Sequence, residues 1–242
     1  MLQVLSKEFS SFLNSLIAYV VIGVFLLAMG LLVWVFPETS VMDYGYADMQ
    51  TLFSLAPYVF VFLIPAITMR SFAEEKKAGT MELLFTKPLS DWDIILGKYF
   101  STLLLSLFAL VPTLVYYYCL YMLGNPIGNL DTPGIIGSYI GLSMVAAAFC
   151  AVGIFASCIT PNQIVAFVVG AFLCFLLFSG FESISALPFW SANALAVKQW
   201  GVLFHYESMS RGLIDTRDLI YFFSLVLLML SITKLILGSR QW

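Results

Sequence analysis

RSFAEEKKAGTMELLFTKPLSDWDIILGK, residues 70–98, is the stretch whose reading decides the fold. It lies between two long apolar runs and carries the densest charge of the chain: Arg70, Glu74, Glu75, Lys76, Lys77, Glu82, Lys87, Asp91, Asp93 and Lys98. Glu74-Glu75-Lys76-Lys77 keeps the start of the stretch in water, as a helix continuing out of the preceding apolar run. Gly79 then breaks that helix. Thr80 is able to cap a new short helix with Met81, Leu83, Leu84 and Phe85 on its apolar side. Lys87-Pro88 ends it, and Ser90 or Asp91 caps the helix that runs into the next apolar segment. The expected element is a short helix held crosswise beneath a membrane on two rigid arms, fit to pass a push from a soluble partner. The plainer alternative is an ordinary loop with a charged surface.

The sequence on either side requires lipid as its solvent. Of 242 residues, 61% are hydrophobic and 10% are charged, against roughly 25% charged in a soluble domain. A bilayer span needs about 20 consecutive apolar residues, and six such runs are legible, over residues 16–36, 52–69, 99–123, 135–159, 164–181 and 219–237. Pro57 and Pro65 fall inside the second run, and Pro112 inside the third. Such prolines are tolerated where neighbouring helices satisfy the freed carbonyls. Residues 1–15 place Leu2, Leu5, Phe9, Phe12 and Leu13 at helical spacing among polar residues, the pattern of an interfacial amphipathic helix. The four-residue turn Thr160-Pro161-Asn162-Gln163 makes the fourth and fifth runs an antiparallel hairpin. Residues 182–218 mix Trp190, Trp200, Phe204 and Tyr206 with Lys198, His205, Glu207 and Arg211, and read as one or two helices at the outer interface. The fold class is therefore an all-α polytopic membrane protein with six transmembrane helices and an N-terminal elbow.

Basic residues orient it. Lys7, Arg70, Lys76, Lys77, Lys87, Lys98, Lys234 and Arg240 fall on one side of a six-span arrangement, and Lys198, Arg211 and Arg217 on the other. The positive-inside rule then puts both termini and residues 70–98 in the cytoplasm. The first apolar run is too long for a cleavable signal peptide, and no small-residue cleavage site follows it.

Residues that carry chemistry are sparse. No G-x-x-x-x-G-K-[ST] phosphate loop is present, so ATP, if used, is bound elsewhere. Cys119, Cys150, Cys158 and Cys174 lack metal-ligand spacing and read as packing residues. The spans hold almost no ionisable groups, which disfavours ion-coupled pumping and intramembrane proteolysis. Gly137 and Gly141 form a G-x-x-x-G that Ala148 extends, a close-packing stripe that is also a candidate contact between protomers. The single histidine, His205, beside Tyr206 and Glu207, is either a pH or ligand sensor or an interfacial packing residue. Neither a cofactor on this chain nor a nucleic-acid partner is expected.

The pattern E-E-K-K-x-G-T-x-E-L-L-x-x-x-P-x-S-x-x-x-I-x-x-G-K, from Glu74 to Lys98, resembles the first cytoplasmic loop of ABC-2 type permeases. The resemblance spans residues 1–242 as a single transmembrane domain: elbow helix, six spans, tight fourth–fifth hairpin and long outer loop. It implies that Gly79, Thr80, Glu82, Leu83, Leu84 and Pro88 form a coupling helix that faces a separate ATPase subunit, with Glu74 and Glu75 shaping its approach. It implies an exporter permease in the cell inner membrane, working with a second copy or a related permease. The stretch HYESMSRGLIDTRDLIYF, from His205 to Phe222, is similar more narrowly to gliding-motility permeases of the GldF type from Bacteroidota. Two other readings stay open: a mechanical or regulatory complex of the same family that moves no solute, and a six-span protein of another class. The substrate is not legible.

Overall fold

A computed structural model describes residues 1–44, 48–81 and 89–239, and every regular element among them is helical. In chain order these are α1 (Leu2–Leu13), α2 (Leu16–Trp34), the short α3 (Val41–Tyr44), α4 (Gln50–Thr68), α5 (Arg70–Ala78), α6 (Asp91–Leu110) and α7 (Leu114–Leu123). Then come α8 (Thr132–Ile159), α9 (Gln163–Phe175), α10 (Phe181–Ser185), α11 (Ala194–Lys198), α12 (Val202–Met209) and α13 (Thr216–Gly238). Glu82, Leu83, Leu84 and Pro88 lie outside the described residues.

Among the described residues, five helical runs are long and apolar enough to cross a bilayer: Gln50–Ala78, Asp91–Leu123, Thr132–Ile159, Gln163–Ser185 and Thr216–Gly238. The sixth candidate is the first, where α1 and the helix after it meet at a 67° bend. At 19 residues, α2 measures about 28 Å at 1.5 Å per residue, close to the thickness of a hydrocarbon core. Its face carrying Phe25, Met29 and Val33 is buried, while Leu16, Tyr19, Val24 and Leu27 are exposed. That exposed apolar face suits lipid, not water.

The hub is α8. The helices α13, α4, α9, α6, α5 and α12 all pack on it. Alanine and glycine at 146, 148, 151, 153 and 156 are buried along its length, and small residues let helix backbones approach closely. A Cβ added at Gly170 of α9 would sit 3.5 Å from Ala156 and 3.3 Å from Pro65, close enough that Pro65 would have to give by a few tenths of an ångström. Pro112 lies in a 3-10 turn, Val111–Thr113, between α6 and α7, as expected where proline removes a helical donor. A π-turn, Leu176–Gly180, separates α9 from α10.

Asp131 and Asn162 cap α8 and α9 through their side chains. Of the two candidates for the cap of α6, Ser90 serves. Its Oγ accepts from the Asp93 amide at 3.2 Å, and Asp93 Oδ2 accepts in return from the Ser90 amide at 3.3 Å. This reciprocal pair is a capping box.

Candidate functional site

The charged end of the helices is organised around α5, the arm that leads into residues 79–88. Its C-terminus is closed as the sequence suggests. Gly79 is left-handed, at φ 67°, and the amides of Gly79 and Thr80 return to the carbonyls of Lys76 and Glu75. That double return is a Schellman motif, which fixes the direction in which the chain leaves the helix.

Its N-terminus is unusual. The helical run from Gln50 is interrupted at Met69, so the amides of α5 up to Phe72 have no partner within α5 itself. No side chain of its own caps it. Ser157, near the end of α8, does so from a different helix. Ser157 Oγ accepts from the Phe72 amide at 2.9 Å and the Ala73 amide at 3.1 Å, and donates to the Met69 carbonyl at 3.0 Å. A side chain inserted into a helical ladder is a physical cause of a kink. The joint between the second candidate span and its arm is thus built by α8. One turn away, Thr68 Oγ1 donates to the Ile64 carbonyl at 2.9 Å against the backbone of Gly153. A Cβ at Gly153 would lie 2.0 Å from Thr68 Oγ1 and 2.8 Å from Thr68 Cβ. Gly153→Ala is therefore expected to force α4 and α8 apart at the joint and to cost about 1–3 kcal/mol, the usual range for overpacking. A thermal-unfolding series in detergent checks this, with Ala156→Gly as a neighbouring control.

A buried ion cluster fixes the arm laterally. The Lys98 side chain is 1% exposed, and its Nζ lies 3.2 Å from Glu8 Oε1 of α1 and 2.9 Å from Glu75 Oε1 of α5. It also donates to the Ser71 carbonyl at 2.6 Å and sits 5.1 Å from the centre of the Phe72 ring. A buried ammonium requires such partners, because burial without them is prohibitive. Lys98 therefore ties α1, α5 and α6 together. Its neighbour Gly97 lets α1 cross, since a Cβ there would meet Val4 at 2.9 Å. The Gly-Lys pair that ends the 70–98 stretch thus has two separate jobs. Lys76 adds a bond to the Cys158 carbonyl at the end of α8. Arg70 reaches Ser15 Oγ at 2.9 Å and pairs with Glu74 at 3.0 Å.

The expected residues are accordingly distributed as follows. Glu75 is drawn inward to Lys98, and Glu74 remains exposed beside Arg70. Gly79 and Thr80 form the exposed exit from α5. Reading Glu74 to Lys77 as uniformly solvated is corrected: Glu75 and Lys76 face α6, α1 and α8, leaving Glu74 and Lys77 exposed. Lys98 is likewise a buried tie, not a water-facing loop charge. Ser157 and Glu8 escaped the sequence reading. Nothing local marks a serine in an apolar helix as the cap of another helix.

At the opposite end, Gly137 and Gly141 are packed within the chain. A Cβ at Gly137 would lie 2.7 Å from Gly212, and one at Gly141 2.6 Å from Met209 Cβ. The stripe thus seats α12 and the turn after it. Ala148 is buried on the same helix. The segment 182–218 does more than lie on a surface: Val202, Tyr206 and Met209 of α12 are buried, and Tyr206 Oη donates to the Phe53 carbonyl of α4 at 2.6 Å.

Against known families, the model described as "ABC-2 family transporter protein" matches residues 37–239. No curated protein matches the chain.

Proposed function

Because this chain belongs to the ABC-2 family of transporter proteins, a component of membrane transport and not itself catalytic, we propose that it is the membrane-spanning exporter subunit of an ABC transporter driven by a separate ATPase. The observation that carries the reading is the anchoring of α5 to three neighbours, through Ser157 and Lys76 to α8 and through Lys98 to α1 and α6. An arm tied in this way does not swing freely, so a force on residues 79–88 passes into α1, α6 and α8 together. In this reading Gly79, Thr80, Glu82, Leu83, Leu84 and Pro88 meet the ATPase, and α1 is an interfacial elbow. The protein lies in the inner membrane with both termini in the cytoplasm, on the strength of its basic residues. It pairs with a second copy or a related permease. The narrower proposal, a gliding-motility complex, is supported by the resemblance of residues 205–222. Loss of gliding on deletion of the gene, in a host that glides, is the result it requires.

The main experiment is purification after expression from the native operon. An ATPase subunit is expected to co-purify with the chain, and the chain alone is expected neither to bind nor to hydrolyse ATP. Stoichiometric ATP binding by the isolated chain contradicts the proposal.

A further inference from the structure

We propose that the cavity at the head of α13 holds the headgroup of a resident zwitterionic phospholipid, phosphatidylethanolamine, with Arg217 taking its phosphate and Asp215 its ammonium. The cavity lies between α12 and the start of α13 and has a volume of about 830 Å³, within the range of about 300–1,000 Å³ that small-ligand sites occupy. Phe204, Leu213 and Ile214 give it an apolar side, and Asp215, Thr216 and Arg217 a polar one. A third part of its wall is fixed by internal bonds. Asp218 Oδ2 accepts from Ser208 Oγ at 2.5 Å, and Asp218 Oδ1 lies 2.8 Å from His205 Nδ1. His205 Nε2 lies 3.0 Å from the Gln199 carbonyl, and the ring stacks on Tyr221 at 3.9 Å. These groups are committed to one another and brace the site.

Arg217 and Asp215 are the groups left over. The Arg217 guanidinium is exposed and makes no hydrogen bond or ion pair among the described residues, whereas Lys198 of the same segment is paired with Glu182 at 2.9 Å. Asp215 caps α13 by accepting from the Arg217 amide at 3.0 Å, and a carboxylate has acceptor capacity beyond one such bond. A cation-seeking and an anion-seeking group in one cavity fit a ligand that carries both charges. The guanidinium fork matches a phosphate bidentately, and a primary ammonium offers three N–H donors to a carboxylate. A purely anionic headgroup would set its charge against Asp215 and Asp218. A choline headgroup has no N–H to donate.

The helix below the cavity supplies the place for the chains. Ile220, Phe223 and Leu227 of α13 are exposed and follow Thr216 at steps of four, three and four, so they form one stripe on a helix long and apolar enough to span a bilayer. The stripe is polar where it opens into the cavity and apolar beneath it, the order in which a phospholipid presents its headgroup and its acyl chains. Trp200 is exposed beside the cavity, and its carbonyl accepts from Tyr221 Oη at 2.7 Å. Tryptophan and tyrosine collect at the headgroup level of a membrane. The inference rests on the chain spanning a membrane and not on what it transports, so its failure leaves the permease reading untouched.

The test offers the full chain, delipidated in detergent, equal amounts of phosphatidylethanolamine, phosphatidylcholine and phosphatidylglycerol with the same acyl chains, and counts bound lipid by native mass spectrometry. Phosphatidylethanolamine is expected to be retained about tenfold over phosphatidylglycerol, the effect of one charge-assisted contact. Arg217→Gln is expected to lower its retention by about the same factor. Asp215→Asn keeps a good helix cap while removing the charge, and is expected to abolish the preference for phosphatidylethanolamine over phosphatidylglycerol with lipid still bound. Both positions are exposed, so both variants are expected to melt as wild type does without lipid. Inorganic phosphate in large excess is expected not to displace the lipid, because it has no chains to lie on α13. Equal retention of the three lipids, a preference for phosphatidylglycerol, displacement by phosphate, or wild-type retention by Arg217→Gln overturns the proposal.

Discussion

Lys98→Met is expected to lower stability by about 3–5 kcal/mol, the range seen when one partner of a buried ion pair is removed. The side chain is 1% exposed and the two carboxylates it holds, Glu8 and Glu75, are 14% and 16% exposed. Without the ammonium, two negative charges remain close together in a site that water scarcely reaches. The loss comes mainly from those stranded carboxylates, not from forfeited attraction. Neutralising them in the triple variant Lys98→Met, Glu8→Gln, Glu75→Gln is therefore expected to recover most of it, and Glu75→Gln alone to cost less than Lys98→Met. Chemical or thermal unfolding in detergent measures the series. A loss under about 1 kcal/mol, the value of an exposed pair, means the cluster is solvated and ties nothing together.

Ser157→Ala is expected to cost about 2–4 kcal/mol, more than the roughly 1 kcal/mol of an ordinary N-cap. The buried Phe72 amide loses its acceptor, while the Ala73 amide and the Met69 carbonyl each lose one of their partners. Each unsatisfied buried group costs about 1–3 kcal/mol, and partial straightening of the joint offsets some of the sum. Ser157→Thr keeps the hydroxyl and is expected to lose much less. Melting temperatures read the cost. A spin-label distance between α5 and the Gln50 end of α4 reads the geometry, and is expected to change in Ser157→Ala and to hold in the threonine variant. Equal stability of the alanine variant and wild type shows that α5 is not capped across the interface.

Local features of this molecule were legible because their causes are local. Gly79 ends α5 for reasons contained in six consecutive residues, Glu75 to Thr80, and Ser90 caps α6 three residues from its partner. Apolar runs betray membrane-crossing helices because lipid admits little else. The arm's anchoring was not legible. Ser157 is 85 residues from Phe72 and Lys98 is 90 from Glu8, and a lysine at the edge of an apolar run carries no sign of whether its ammonium faces water or two carboxylates. The G-x-x-x-G of α8 signals a close approach but not the identity of the visitor, here α12 and Gly212 of the same chain. His205 left two readings open for the same reason, since its acceptors stand on a separate turn and a separate helix.

The most direct test of the account is retention of the ATPase by variants in residues 79–88. Glu82 suits a basic partner and Leu83 and Leu84 an apolar groove, so Glu82→Ala with Leu84→Ala removes one charge and one anchor. Each such loss at an interface costs about 2 kcal/mol or more, and about 1.4 kcal/mol is a factor of ten in affinity. Pull-down of the co-expressed ATPase, normalised to membrane abundance, is predicted to fall at least tenfold for that double variant. A comparable fall is predicted for Gly79→Pro, which destroys the left-handed exit at φ 67°. Lys198→Ala, on α11, is predicted to change nothing. If the double variant and Gly79→Pro insert normally and hold the ATPase as wild type does, residues 79–88 are not where this protein receives its drive.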